Sequence, residues 1–398
     1  MSLVPVDQAV TRLLAGIKPL AAEEVALADA ADRVLAEDLQ ALRTQPPFAA
    51  SAMDGYAVRA AEAKAGTQLN VIGMSRAGER FAGALGRGEA VRIFTGAPLP
   101  DGADSILLQE DAERSDDSIL LKETAATGRH IRAAGLDFRA GEVKLHSGRV
   151  FDPHAISLAA SLGYAAVPVR RKPRVAVLAN GDELVPPGTT PGPDQIISSN
   201  AIGLVALVRG ARGDPIDLGI AADKQETIAA FVDRAVGADI LVVTGGASVG
   251  EHDLVQEALK SRGMQLDFWK IAMRPGKPLM VGRMGATQVL GLPGNPVSTF
   301  VCAELFLRPL IRATLGLSTT PDVVAARLGA PMSANDNRED YVRGCLSAGD
   351  EGLTAVPFPL QDSSMLSTLA AANALIIRPA GAPAAAAGDL VSVLRLPR

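Results

Sequence analysis

The hydrophobic pattern of the chain changes period several times, and each change marks a different kind of structure. In residues 1 to about 45, Val10, Leu13 and Leu14 follow Asp7 at helical spacing, which predicts a helix capped by Asp7. EEVALADA reads as extended and AADRVLAEDL as a second helix. From Pro46 to about Arg139 the runs shorten to YAVRA, LNVIG, AVRIFTG, DSILLQE and SILLKE, alternations broken by glycine, as in a β-rich module. HAISLAASLGYAAV then returns to helix. A β module set between two helical stretches predicts that 1–45 and 141–172 form one discontinuous domain around a second domain at 46–140.

Residues 173–318 carry the clearest alternation. RVAVLAN and DILVVTGG are apolar runs fit for buried strands, DLGIAAD and FWKIAM read as further strands, and SSNAIGLVALVRG, KQETIAAFVDRAVG and DLVQEALKSRG read as helices. A hairpin follows, then a long helix over VSTFVCAELFLRPLIRATLG. Strands alternating with helices predict a three-layer α/β domain with a mostly parallel sheet covered on both faces. Residues 319–398 return to short strands (YVRGCLSA, LTAVPF, ALIIRP, DLVSVLRL), which predicts a C-terminal β-barrel. The fold class is therefore multidomain α/β plus β, in four parts.

Composition narrows the function classes. The chain has 398 residues, 48% of them hydrophobic and only 4% aromatic, so its cores are aliphatic. A net charge of -5 argues against a broad nucleic-acid surface, which needs a basic face, but leaves room for a local pocket for a small anion. Cys302 and Cys345 are far apart and in no metal-ligand spacing, which suits a reducing compartment. MSLVPVDQAVTRLLAG lacks the basic start and apolar core of a signal peptide, and AISLAASLGYAAVPV is broken by Gly163 and Pro168 and is short for a bilayer span. The expectation is a soluble cytoplasmic protein with no membrane or nucleic-acid partner.

In an open α/β sheet, ligands bind outside the carboxyl ends of the strands. Three loops fall there: NGDEL, TGGASVGEHD and RPGKP. The glycines Gly245, Gly246 and Gly250, with Ser248, would let backbone N–H groups cradle an anion, although a plain strand-to-helix turn uses the same residues. In RPGKP, Pro275 and Pro278 stiffen the backbone around Lys277, with Arg274 beside it. Such a lysine loses little freedom on meeting an anion, whereas a lone turn lysine is usually just solvated. In LPGNPVS, Asn295 suits an N-cap and Pro296 the first helical turn, so the positive end of the long helix would face the same crevice. Glu183, Asp223 and Asp253 follow strands in this region, and Asp54 in SAMDGYA falls within the β module beside Thr95 in IFTGAPLP. Hard oxygens beside an anion pocket suggest a Mg²⁺-type ion rather than zinc, while each acid alone reads as a surface or capping group.

SAMDGYAVR, IFTGAPLPDGAD, IRAAGLDFRAGE, NGDEL, TGGASVGEHD, RPGKP and LPGNPVS follow one another in this order across residues 51–299. In order and spacing they resemble the molybdopterin molybdenumtransferase family, the MoeA proteins and the E domain of gephyrin. The resemblance implies a homodimer of elongated four-domain subunits with an α/β domain of the molybdopterin-binding type. It implies molybdenum cofactor biosynthesis: insertion of molybdate into the dithiolene of adenylylated molybdopterin, with release of AMP and dependence on Mg²⁺. The active site would be shared between subunits, with Asp54 and Thr95 opposite Asp253.

By the same resemblance, Asp54, Thr95, Glu183, Asp253 and Lys277 match catalytic positions, and Asp54, Glu183 and Asp253 would hold the metal. Arg132 and Asp137, Asp223, Pro293 and Pro296, and Ser363 and Ser364 match substrate-binding positions, beside Gly245, Gly246, Ser248, Gly250, Arg274 and Asn295. Partners would include the upstream adenylyltransferase and molybdoenzyme maturation factors. Arg274 stands where some members have Lys, and Ala247 where Val is common. The related adenylyltransferase shares the α/β domain but does not need SAMDGYA or a C-terminal domain. A non-catalytic binding or scaffold protein would have no need of these acids.

Overall fold

The computed structural model describes residues 3–245, 254–350 and 352–397. It divides into two compact units, Met1–Glu23 with Arg170–Arg398, and Glu24–Val169.

In the unit Glu24–Val169, six described strands form a mixed sheet in the order Ser105–Leu108, Gly55–Val58, Glu89–Ile93, Gln68–Ser75, Ser118–Leu121 and Ala112–Ser115. These are the short alternating runs of the sequence. A separate core draws on residues 27–41 and 138–169, with Leu35, Phe138, Phe151 and Leu162 fully buried. Helix Pro153–Leu162 enters through Asp152, whose side chain accepts from the Ala155 N–H at 2.8 Å, and ends at Gly163 in the left-handed region.

The helix expected over AADRVLAEDL does not form. Asp32 takes a positive φ of 61°, and Val34 and Leu35 instead bridge Val150 and Val169 as β partners. Both are buried, so their apolar surface is covered without a helix. Residues 166–170 of the YAAVPV run are likewise strand, not helix.

In the other unit, six described strands line up in the order Asp214–Ala221, Arg174–Asn180, Ile240–Thr244, Thr287–Leu292, Met280–Met284 and Gln265–Trp269. The first four are parallel, and Met280–Met284 runs antiparallel to both its neighbours. Every residue of ILVVT is buried, as a strand covered on both faces requires. The FWKIAM run splits: Gln265–Trp269 stays in this sheet, while Met273–Arg274 pairs with Glu339 and Asp340.

The long helix is one helical run from Pro296 to Thr314, interrupted by a π segment at Ala303–Leu307. Pro309 has no N–H to continue the ladder, and a π turn is one way to absorb that loss. The N-terminal helix Val6–Leu14 packs against Arg308–Thr314. Its N-cap is Pro5, and Asp7 lies in the first turn, where its charge favours the positive end of the helix without capping it.

Among the described residues, five C-terminal strands close into a barrel: Glu339–Gly349, Gly352–Pro357, Val323–Leu328, Leu390–Arg395 and Ala374–Arg378, the last pairing again with the first. Val323–Leu328 has no counterpart in the sequence reading, because its PDVVAARLGA surroundings carry no strong alternation.

Candidate functional site

The chain passes from strand Arg174–Asn180 to Asp214–Ala221 on one side and to Ile240–Thr244 on the other. The sheet therefore reverses its winding between Arg174–Asn180 and Ile240–Thr244, which is where open α/β sheets bind ligands. Parallel register sets Ala179 beside Thr244 and Thr244 beside Leu292, so Asn180, Thr244 and Pro293 emerge along one edge. Gly245 turns the chain there with φ +94°. A Cβ on it would lie 2.1 Å from the Asn180 carbonyl oxygen, so no other residue fits.

A cavity of about 600 Å³ opens at this edge, lined by Asn180, Glu183, Asn200, Gly245, Pro293, Asn295, Pro296 and Ser364, with Pro278 in the same wall. Pro278 belongs to RPGKP and Pro293 to LPGNP, so the two stiff corners do converge.

They do not present their charges in the same way. Arg274 and Lys277 line a second cavity of about 350 Å³, together with Arg338, Asp362 and Ser363; Pro278 and Ser298 belong to both cavities. Arg274 is not a free cation. Its guanidinium pairs with Asp340, lies 3.4 Å from Asp336 and reaches Asn335 Oδ1 at 3.2 Å. Asp340 holds its pKa above the ordinary arginine value. Arg274 thus lines the smaller cavity with its charge balanced by carboxylates of the C-terminal region. Lys277 is exposed and has no carboxylate partner among the described residues.

Asn295 also differs from expectation. It occupies the N-cap position, but its side chain makes no cap; Nδ2 donates to Ser363 Oγ at 2.9 Å. The Val297 N–H donates to the Ser363 carbonyl at 3.1 Å, so one of the helix's leading amides is already satisfied by the C-terminal domain. Beside it, the Ser364 N–H and hydroxyl both donate to Asp362 Oδ1, holding that carboxyl below its usual range. Arg343, 1% exposed, lies behind this loop and donates to Gln361 Oε1. Burial lowers its pKa. Sequence reading missed Arg338, Ser298, Gln361 and Asp362, since nothing local ties them to the corner.

Of the acids, Glu183 lines the larger cavity. Asp223 is exposed and accepts from Asn180 Nδ2 at 2.5 Å, while its N–H donates to Asp182 Oδ1 at 3.0 Å. Gly246, Ser248, Gly250 and Asp253 lie outside the described residues. Among those described, no three His, Cys, Asp or Glu side chains cluster as a metal site. The donors at this strand edge are nonetheless oxygens (Glu183, Asp182, Asp223), and among the described residues no His or Cys lines the larger cavity. That donor chemistry suits a hard ion such as Mg²⁺ and not zinc. Cys302 is fully buried, and burial pushes its thiol up, so it supplies no thiolate.

The remaining site residues lie in the unit Glu24–Val169. Asp54 Oδ1 accepts from both the N–H and the hydroxyl of Thr95, each at 2.8 Å. The Arg92 guanidinium stands over Tyr56 at 4.9 Å and Phe94 at 5.1 Å, and donates to Gln109 Oε1 at 2.5 Å. Thr95's two donors, and then the Arg92 charge, hold Asp54 below the ordinary carboxylate range. Arg132 pairs across from Ala50 in the adjoining ribbon and is exposed, while Asp137 is exposed a short turn further on. Nothing in the sequence pointed to Arg92.

Comparison with known proteins covers the whole chain. Residues 4–163 match the model "MoeA N-terminal region (domain I and II)", 176–313 match "Probable molybdopterin binding domain", and 325–396 match "MoeA C-terminal region (domain IV)". The chain is 36% identical to molybdopterin molybdenumtransferase 2 of Mycobacterium tuberculosis, over 97% of each chain. It is 34% identical to the molybdopterin molybdenumtransferase of Haemophilus influenzae, over 98% of each. A crystal structure of the molybdopterin biosynthesis MoeA protein from Pyrococcus horikosii superposes with a TM-score of 0.88 at 31% identity, covering 99% of both chains. The α/β domain, the closed barrel and the full-length similarity agree: the chain belongs to the molybdopterin molybdenumtransferase family.

Proposed function

We propose that this chain inserts molybdate into the dithiolene of adenylylated molybdopterin and releases AMP, as a step of molybdenum cofactor biosynthesis. The observation that carries the reading is the pair of adjoining cavities at the strand ends, one large enough for an organic substrate and one sized for a small oxyanion beside Lys277. Two anions must meet for this reaction, and their repulsion is offset only by cations and fixed dipoles already in place. Lys277 supplies positive charge in the smaller cavity, where Arg338 is paired with Asp336, and Ser363 and Ser364 supply hydroxyls at its edge and in the larger one. Pro278, Pro293 and Pro296 keep the walls from moving as the charges approach. The dithiolene sulfurs arrive with the substrate, so the buried Cys302 is not called on.

Glu183, with Asp54 and Asp253, would hold Mg²⁺. The ion, when bound, would neutralise phosphate and oxyanion charge. Asp54, a carboxylate at neutral pH whose charge the two Thr95 donors further favour, acts as an acceptor and a fixed negative group rather than as an acid. Asp223 keeps the Asn180 amide in place, and the Gly245–Gly250 loop with Ser248 would cradle phosphate. Arg132 and Asp137 would bind substrate from the β-rich module. The working form is a homodimer of four-domain subunits in the cytoplasm, with the active site shared between copies. It would receive substrate from the adenylyltransferase and pass product to molybdoenzyme maturation factors. No described helix is long and apolar enough to cross a membrane.

The test mixes purified protein, adenylylated molybdopterin, molybdate and Mg²⁺ and follows AMP. Release that depends on molybdate is expected; release that ignores molybdate, or none, overturns the reading.

A further inference from the structure

We propose that Arg92 is a positioning residue whose guanidinium braces the backbone at Asp54 and Gly55, so that the Asp54–Thr95 pair meets its ligand in one orientation. The inference rests on the function proposed above and deepens it, because that function asks Asp54 to act from a fixed place.

Asp54 is exposed, and Thr95 ties its carboxyl at Oδ1. That tie fixes the carboxyl in space only if the backbone beneath it is fixed too. Arg92 supplies the second tie. It lies on strand Glu89–Ile93, directly across from Tyr56 and three residues before Thr95. Its Nη1 donates to the Gly55 carbonyl at 3.3 Å, and its Nη2 donates to Gln109 Oε1 at 2.5 Å. The Gln109 N–H in turn donates to the Asp54 carbonyl at 3.3 Å. One guanidinium therefore holds two successive carbonyls, that of Gly55 directly and that of Asp54 through Gln109. On the other side of the strand Gly55 pairs with Leu108, and a Cβ on Gly55 would lie 1.9 Å from the Leu107 carbonyl oxygen, so the segment has no room to shift that way.

A brace must not swing, and Arg92 is itself held. Its guanidinium stands 4.9 Å from the centre of the Tyr56 ring and 5.1 Å from that of Phe94, and Tyr56 is buried. Stacking on rings restricts the side chain without consuming its charge. Both hydrogen bonds go to neutral oxygens, and among the described residues no carboxylate pairs with Arg92, so its charge remains to favour the ionised form of Asp54. A side chain that only packed on the two rings would need neither a charge nor a fork of donors. Supporting groups of this kind set how precisely a reacting group is placed, and small displacements of that group are costly to turnover.

The test compares Arg92→Met, Arg92→Lys and Gln109→Ala with wild type. It reads kcat and KM for AMP release from adenylylated molybdopterin with molybdate and Mg²⁺, and the Asp54 titration by NMR. Arg92→Met keeps the packing on the rings and removes the fork and the charge. Its kcat should fall about tenfold to a hundredfold with KM within about twofold, and its Asp54 titration should move up toward the ordinary carboxylate value. Arg92→Lys keeps the charge but cannot span both oxygens, so it should recover the titration and only part of kcat. Gln109 is exposed, so Gln109→Ala cuts one arm of the brace in an intact fold and should lower kcat in the same direction. If Arg92→Met does not fold, Gln109→Ala decides by the same two readings. Wild-type kcat in Arg92→Met, a fall in kcat with the Asp54 titration unmoved, or full recovery by Arg92→Lys overturns the inference and leaves the proposed function standing. No AMP release by wild type overturns the proposed function, and the titration of Arg92→Met then decides by itself whether the brace acts on Asp54.

Discussion

Asp54 and Thr95 are joined by two hydrogen bonds to a single carboxylate oxygen, one from the Thr95 backbone N–H and one from its hydroxyl, both at 2.8 Å. The pair lies 41 residues apart in sequence, and the fold makes it one unit. Since both bonds favour the charged carboxylate, Asp54 has a lowered pKa. Any stability it lends is fully present above the unfolded carboxylate value of about 3.9 and disappears as pH falls through the lower folded value. Thr95→Ala removes the hydroxyl donor but keeps the backbone one. Its Asp54 titration, followed by NMR, should move up toward the ordinary value. Asp54→Asn should fold and assemble normally and lose turnover; turnover equal to wild type would show that the wrong acid has been chosen.

Lys277 offers the cleanest test of the smaller cavity. It is exposed, and its charge is not bound by a carboxylate among the described residues, so Lys277→Ala should leave the unfolding temperature within a degree or two of wild type. Molybdate affinity should fall about tenfold, the scale of one charge-assisted hydrogen bond. Calorimetric titration of molybdate reads this directly, and unchanged affinity would return Lys277 to the role of a solvated turn residue.

Arg274 should behave in the opposite way. Arg274→Ala strands Asp340, which is 8% exposed and has one carboxylate oxygen already lacking a partner. Because Arg274 itself is half exposed, the loss is moderated by solvent, and destabilisation of about 2 kcal/mol is expected in denaturant unfolding. Arg274→Lys keeps the charge but not the fork of donors that reaches Asp336, Asn335 and Asp340 together, so it should recover only part of that stability.

Gly276, between the prolines of the same corner, has φ +109°, and a Cβ there would sit 2.5 Å from Cys302 Sγ. Gly276→Ala combines backbone strain with overpacking against a buried side chain. We expect a loss of about 2 to 4 kcal/mol, with molybdate binding reduced in the fraction that folds because Lys277 is displaced. A thermal melt superimposable on wild type would mean that the corner yields more easily than its contacts suggest.

The long apolar runs determined their own structure. RVAVLAN and DILVVTGG are too hydrophobic to leave either face in water, so a central parallel sheet follows from the chain alone, and ligand loops follow from where such strands end. The ordered motifs from SAMDGYA to LPGNPVS likewise carried the family. Tertiary packing decided what local spacing could not express. Val34 and Leu35 satisfy a helical pattern as well as a β one, and Val150 and Val169, more than a hundred residues on, settle which. Arg274 and Lys277 look alike in RPGKP, yet the C-terminal region supplies Asp336 and Asp340 to one and, among the described residues, no carboxylate to the other. Asn180 and Asn200 read as a strand end and a helix start. Only the fold brings their amide nitrogens to Asp223 and to the Gly294 carbonyl. In each case the deciding partner lies on a distant segment, and a charge or an amide takes its role from the partner that folding brings to it.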